Sequence, residues 1–420
     1  MDKAKITSAQ FAILTYMYLL GTAAIMQPHT IASIAGTDEW FTMLLSIFAQ
    51  LGIGWLYMTL AFKYPNETII EYSRHLLGKW AGWLLGFSYF VFFLVLDAYI
   101  LRVVSGFLGA SILPRTPSDV LRITFLIPVA YGVFLGLGVI GRTTQILLPF
   151  TVFIIILSAI LLLPQIHADN LLPMFPDGIM APIKGLYPLI GFPIEETFVL
   201  LMLVRFVVDK EKTKKYFYIA SAAGPATIML ITLLTIMVLG IEVIVRAPYV
   251  VYDLVKEIRI ERIFDRVEAI MGIVWMSTTF VKVTLTFYAA TIAGVQLFKL
   301  VSYKHVIIPC LFLLLPMTHW VIDNTVELED FLTDAFTVVM FFPGVFFPAL
   351  LLIVSRFKEG KNSGSPEARD AKRQAGRIRE QLEDGEPEAG PANHGNKERK
   401  NQAPEQEPGD SGNAKSPLTE

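Results

Sequence analysis

The chain has 420 residues, 54% of them apolar, 12% aromatic and 17% charged, with a formal net charge of −2. A mean hydropathy of +0.54 is too high for a soluble protein of this length, and the near-balanced charge offers no basic field to draw nucleic acid. The single cysteine, Cys310, excludes an intramolecular disulfide framework.

Apolar runs of membrane-spanning length recur between short polar loops, the pattern of an all-α integral membrane protein. At about 20 apolar residues per span, ten spans are expected. They lie near residues 8–34, 40–62, 82–108, 122–139, 145–163, 187–208, 217–241, 267–298, 305–322 and 333–355. The opening MDKAKITSAQ runs into span one without a small-residue cleavage site and reads as a retained helix. Residues 357–420 are rich in Lys, Glu, Gly, Asn, Gln and Pro and read as a disordered tail, because they carry too little apolar surface to offset ordering.

Span one is interrupted at Leu20-Gly21-Thr22-Ala23-Ala24-Ile25-Met26-Gln27-Pro28. In span three Asp97 lies within YFVFFLVLDAYI, where an acid is expected to face the protein interior, and Arg102 is placed to reach the outer interface. Gly82 and Gly86 have the small-xxx-small spacing of helix packing. Gly136-Leu137-Gly138-Val139-Ile140-Gly141 matches a dinucleotide fingerprint in letters only, since a membrane span rather than a strand precedes it. Span six carries Gly191-Phe192-Pro193-Ile194-Glu195-Glu196 in its middle, weak helix formers followed by two acids. An ionised Glu there costs about 2.5–3.5 kcal/mol unless it meets water, a cation or freed backbone donors. Two readings stay open for the pair: a structural ion pair with a buried base, for which Lys282 in span eight is the candidate, or ligand binding. Thr284 and Tyr288, four residues apart, share a face of span eight and offer hydroxyls to a ligand or to a neighbouring helix.

Spans one and six open two sets of five, and both are interrupted. That placement is expected of an inverted-repeat transporter, whose discontinuous helices expose backbone groups near the bilayer midplane. The repeats would cover about residues 8–163 and 187–355 of a membrane domain, 1–356. Lys and Arg gather on one side, in the loops holding Lys63, Arg74 and Lys79, then Arg142, Lys210, Lys299 and Arg356, which puts both termini in the cytoplasm. The loop at 246–266 dissents. Its bases alternate with acids and its apolar residues recur at helical spacing, so it reads as an amphipathic helix on the outer surface, a connector or a docking element for a partner. The histidines are scattered and no phosphate-cradling glycine loop is present, so neither metal, cofactor nor enzyme chemistry is expected.

Several stretches together resemble the bacterial endospore germination permeases of the amino acid/polyamine/organocation transporter superfamily. They are GTDEWFTMLL, KYPNETIIEYSRHLLGKWAGWLLG, FPIEETFVLLML and IFDRVEAIMGIVWMSTTFVKVTLTFYAAT, the last carrying Arg266, Glu268, Trp275 and Lys282. The acid often found shortly before the Arg that follows span four is missing here, where the chain reads Gly138-Val139-Ile140-Gly141-Arg142. The resemblance implies a nutrient germinant receptor B subunit in the spore inner membrane, surrounded by lipid and assembled with A and C subunits. It would bind a small germinant, typically an amino acid. It further implies a pocket lined by Gly21, Thr22 and Ala23, by Phe93 and Asp97, by Phe192 and Glu195, and by Thr284 and Tyr288. Glu196, Lys282, Arg266 and Glu268 would be structural or gating charges. A proton-coupled amino acid transporter is the alternative.

Overall fold

The computed structural model describes residues 5–258, 267–321 and 325–363. Arg266 and the side chain of Glu268 lie outside the described residues, as does the tail from residue 364. Among the described residues eight helical stretches are long and apolar enough to cross a membrane, and Ser8–Leu20 and Lys304–Trp320 are shorter apolar helices.

In chain order, span one is α1 (Ser8–Leu20) and α2 (Ala23–Ala35), separated by Gly21 and Thr22. Span two is α3 (Glu39–Lys63), and α4 (Ile69–Leu77) lies between spans two and three, its start fixed by a Thr68/Glu71 capping box. Span three is α5 (Lys79–Phe107). Spans four and five are α6 (Ser118–Leu135) and α7 (Leu137–Leu162), with only Gly136 between them at φ 92°. That left-handed turn is open to glycine at no steric cost, and it draws the boundary inward. Arg142 therefore sits within the start of α7 and not in a loop.

Span six is α8 (Met180–Leu189), a break over Ile190–Ile194, and a tightly wound 3₁₀ stretch over Glu195–Met202. Span seven is α9 (Lys210–Leu239), followed by the short α10 (Ile241–Ile244) and α11 (Val250–Lys256). Span eight is α12 (Val267–Phe298) and span nine α13 (Lys304–Trp320). After α14 (Thr325–Asp334), span ten is α15 (Phe336–Phe341), a distorted turn at Phe342–Phe346, and α16 (Phe347–Ser363), which continues past Arg356.

Packing follows the two sets of five. α3 lies along α9 and α5 along α12, so spans two and seven, and three and eight, meet as pairs. Small residues allow the closest approaches: Gly86 of α5 faces Ile70 of α4 and Leu297 of α12, and Gly54 of α3 faces the Phe217 ring of α9. Of the segment 246–266, residues 259–266 lie outside the described residues, and the described part differs from a surface-lying amphipathic helix. Val250, Val251, Leu254 and Val255 of α11 are buried, α11 packs against α2 and α12, and Tyr249 and Tyr252 meet the Phe107 ring edge-on.

The N-terminal side is closed by polar contacts. Ile6 N–H donates to Phe206 O and Val208 N–H to Ile6 O, each at 3.0 Å, while Ser8 donates to Asp209 O. Arg205 pairs with Glu71. Arg74 donates to Gln296 O at 2.8 Å and Leu297 O at 3.0 Å, satisfying carbonyls at the C-terminus of α12.

Candidate functional site

The two breaks face one another, and one side chain joins them. Lys282, fully buried on α12, donates from Nζ to Thr22 Oγ1 at 3.1 Å in the first break and pairs with Glu196 just after the second. Its ammonium also lies 4.7 Å from the Phe192 ring centroid and 5.4 Å from that of Tyr18, within cation–π range. Gly21 makes this approach feasible, since a Cβ there would lie 2.5 Å from Lys282 Cδ.

Each break exposes backbone groups, and several are taken up by side chains from span one or two. Phe192, in an extended conformation at φ −136°, ψ 114°, offers its carbonyl to Gln27 Nε2 at 2.5 Å. Tyr57 donates to Glu195 O at 3.1 Å and Tyr18 to Glu196 O at 3.2 Å. Span six is thus held in its irregular form by donors on α1, α2 and α3, as buried backbone within a membrane requires. The start of α2 is different. Thr22 has a helical backbone at φ −73°, ψ −22° and makes no side-chain cap, while its hydroxyl accepts from Lys282, so the first N–H groups of α2 keep their positive end toward the break.

The two acids of span six diverge. Glu196 turns to Lys282. Glu195 turns to span ten, where a Cβ on Gly344 would lie 2.7 Å from Glu195 Cβ, and its carboxylate has no hydrogen-bond partner among the described residues. Asp97 on α5 is fully buried near Lys282, again with both carboxylate oxygens unpartnered.

The other sequence-predicted residues are distributed around this centre. Ala23 starts α2 at the break, and Phe93 stacks on Phe198 of span six at 5.4 Å. Thr284 and Tyr288 point elsewhere. The Thr284 hydroxyl donates to Phe280 O at 2.6 Å and its methyl faces Gly132 of α6, while Tyr288 meets the rings of Phe206 and Tyr303. Tyr18, Gln27 and Tyr57 were not singled out from sequence; their hydroxyl and amide groups in apolar spans were the signal available. A narrow apolar cavity of about 30 Å³ adjoins the first break, between Leu20, Ala24 and Ile25 on one side and Met271, Trp275 and Thr278 of α12 on the other.

A helical membrane protein with two facing breaks in corresponding spans has the architecture of a secondary transporter, and solved structures agree. MhsT in complex with L-phenylalanine matches with a TM-score of 0.64 at 12% identity, over 84% of this chain and 99% of that one. MHP1, a nucleobase-cation-symport-1 transporter with bromovinylhydantoin bound, matches at 0.61 and 12% identity over 78% and 75%. At that identity the shared property is the inverted-repeat fold. The family comes from sequence: residues 5–325 match the spore germination protein family, and the chain belongs to it. Spore germination protein YndE of Bacillus subtilis (strain 168) is 29% identical over 361 residues, covering 85% of this chain and 98% of the relative. Spore germination protein KB of the same organism is 25% identical over 302 residues, covering 71% and 80%.

Proposed function

We propose that the chain is the B subunit of a nutrient germinant receptor. A small germinant, an amino acid, binds between the breaks of spans one and six, shifts the balance of pocket conformations, and passes that bias to A and C partner subunits to start germination. The observation that carries this reading is the charge count at the breaks. Two carboxylates, Asp97 and Glu196, lie near one ammonium, Lys282, and both Asp97 oxygens are without a donor among the described residues. A ligand ammonium supplies that donor. Its carboxylate suits the uncapped start of α2 at Thr22 and Ala23. A neutral sugar satisfies neither charge.

The related spore germination proteins A2, B2 and KB support a receptor of several subunits. Lys63, Arg74, Lys79 and Lys210 on the N-terminal side support cytoplasmic termini, and the family supports the spore inner membrane.

The test is germination of spores producing Asp97→Asn. Loss of a charge-assisted hydrogen bond, about 1.5–3 kcal/mol, raises the half-maximal concentration of an amino acid germinant by roughly tenfold to a hundredfold. An unchanged dose response removes Asp97 from the site. Thr284→Ala, on a residue turned toward α6, leaves the response in place.

Glu195, buried and without a hydrogen-bond partner among the described residues, favours a second reading, a proton-coupled amino acid transporter with that carboxylate as proton carrier. Uptake of labelled amino acids into liposomes separates the two: concentrative uptake driven by a proton gradient overturns the pure receptor.

A further inference from the structure

Broken helices in this fold class leave a place for a cation. Unwound carbonyls and half-helix ends at the midplane present partial negative charge, and a free monovalent ion bound there ties the broken elements together. In this chain the junction between the two breaks holds a side chain. The Lys282 ammonium contacts span one at Thr22 and span six at Glu196, is flanked by the ring faces of Tyr18 and Phe192, and is carried by span eight. It is fully buried, and Gly21 leaves open the path its stem takes across the first break.

We infer that Lys282 is a tethered substitute for a bound cation, so that the association of the two breaks, and ligand binding between them, is independent of sodium or any other free monovalent cation. Three features support a built position over a buried base that happened to find an acid. The ammonium has one hydroxyl and one carboxylate partner, drawn from two different breaks, together with two aromatic faces that also favour cations. Thr22, in the first break, makes no side-chain cap on α2 and turns its hydroxyl oxygen to the lysine. Glu196, the first-turn acid facing the breaks, has Lys282 as its counter-charge. Deleting the amine therefore leaves a carboxylate, a hydroxyl and two ring faces around a space of cation size. That constellation is expected to admit a small free cation.

The inference rests on the breaks being the ligand site only for its statement about binding. Its test reads thermal stability, so its failure leaves the receptor reading untouched. Purified full-length protein is melted at matched ionic strength in sodium, methylammonium or choline chloride. The wild-type Tm is expected to be the same in all three. Lys282→Ala is expected to melt lower in choline and to recover several degrees in methylammonium or sodium, whereas Lys282→Ala combined with Glu196→Gln recovers nothing. A wild-type Tm that rises in sodium or methylammonium over choline overturns the inference, as does a Lys282→Ala Tm indifferent to the cation. Should Lys282→Ala unfold on extraction, the yield of folded protein extracted into each salt is the readout. Recovery in methylammonium but not choline supports the tethered cation, and recovery in neither overturns it.

Discussion

Gly21 and Lys282 lie so close that the glycine has no room for a side chain: a Cβ at Gly21 would be 2.5 Å from Lys282 Cδ and 3.2 Å from its Cβ. The lysine stem cannot swing aside freely, because its amine is held by Thr22 and Glu196. Gly21→Ala is therefore expected to strain the pair and cost about 1–3 kcal/mol, as overpacking does. Thermal unfolding in detergent measures it, and an unchanged Tm would mean that the stem yields without cost.

The Lys282–Glu196 pair itself should be strongly coupled. Removing one partner leaves a buried charge without compensation, about 3–5 kcal/mol for Lys282→Met or Glu196→Gln alone. The double variant Lys282→Met/Glu196→Gln is expected to be more stable than the sum of the single losses predicts. A double-mutant cycle decides the matter, and strictly additive losses contradict a direct interaction.

The second break makes a different demand. A Cβ on Gly191 would lie 2.5 Å from Thr337 Oγ1 and 2.6 Å from Thr337 Cα, so backbone and not only a side-chain tip stands in the way. Gly191→Ala is expected to lower Tm more than Gly21→Ala, by separating span six from span ten. Gly52 in α3 has nothing within 4 Å of a built Cβ, and Gly52→Ala should raise stability by up to roughly 0.5–1 kcal/mol through helix propensity alone. Equal effects at Gly191 and Gly52 would show that the close approach to Thr337 carries no energy.

Arg122 ties three spans together where α5 ends and α6 begins. Its Nε donates to Ser105 Oγ at 3.0 Å, and one terminal nitrogen reaches Asp119 Oδ1 and Thr318 Oγ1, each at 3.1 Å. Arg122→Lys keeps the charge but loses the planar fork. With bonds on opposite sides no longer met together, a loss of about 1.5–3 kcal/mol is expected. Arg115→Lys, at an exposed residue, is the comparison and should leave Tm unchanged.

Much of this architecture was legible in advance. Apolar length marked the spans, and Gly21 and the Gly191–Pro193 stretch marked the breaks, because those residues weaken a helix wherever they stand. The Lys282–Glu196 contact was foreseeable as well, since a buried base and a buried acid in apolar spans have few partners but each other. The span four–five boundary slipped because Gly136 turns the chain in a single residue, so the apolar run shows no polar loop to mark it.

Which way the polar groups face could not be read the same way. Periodicity assigns a face only when one side of a helix is polar, and these spans are apolar almost all round. Glu195 and Glu196 add a further obstacle. They begin a stretch wound at three residues per turn rather than 3.6, so the register that sends one acid to Lys282 and the other to Gly344 exists only once the break has formed. Thr284 and Tyr288 share a face as their spacing demands, but that face looks toward α6 and Tyr303 and not the breaks. Local chemistry determined where the chain would span and where it would break. The packing of ten spans decided which charges meet, because a buried charge is settled by the partner that arrives from a distant part of the chain.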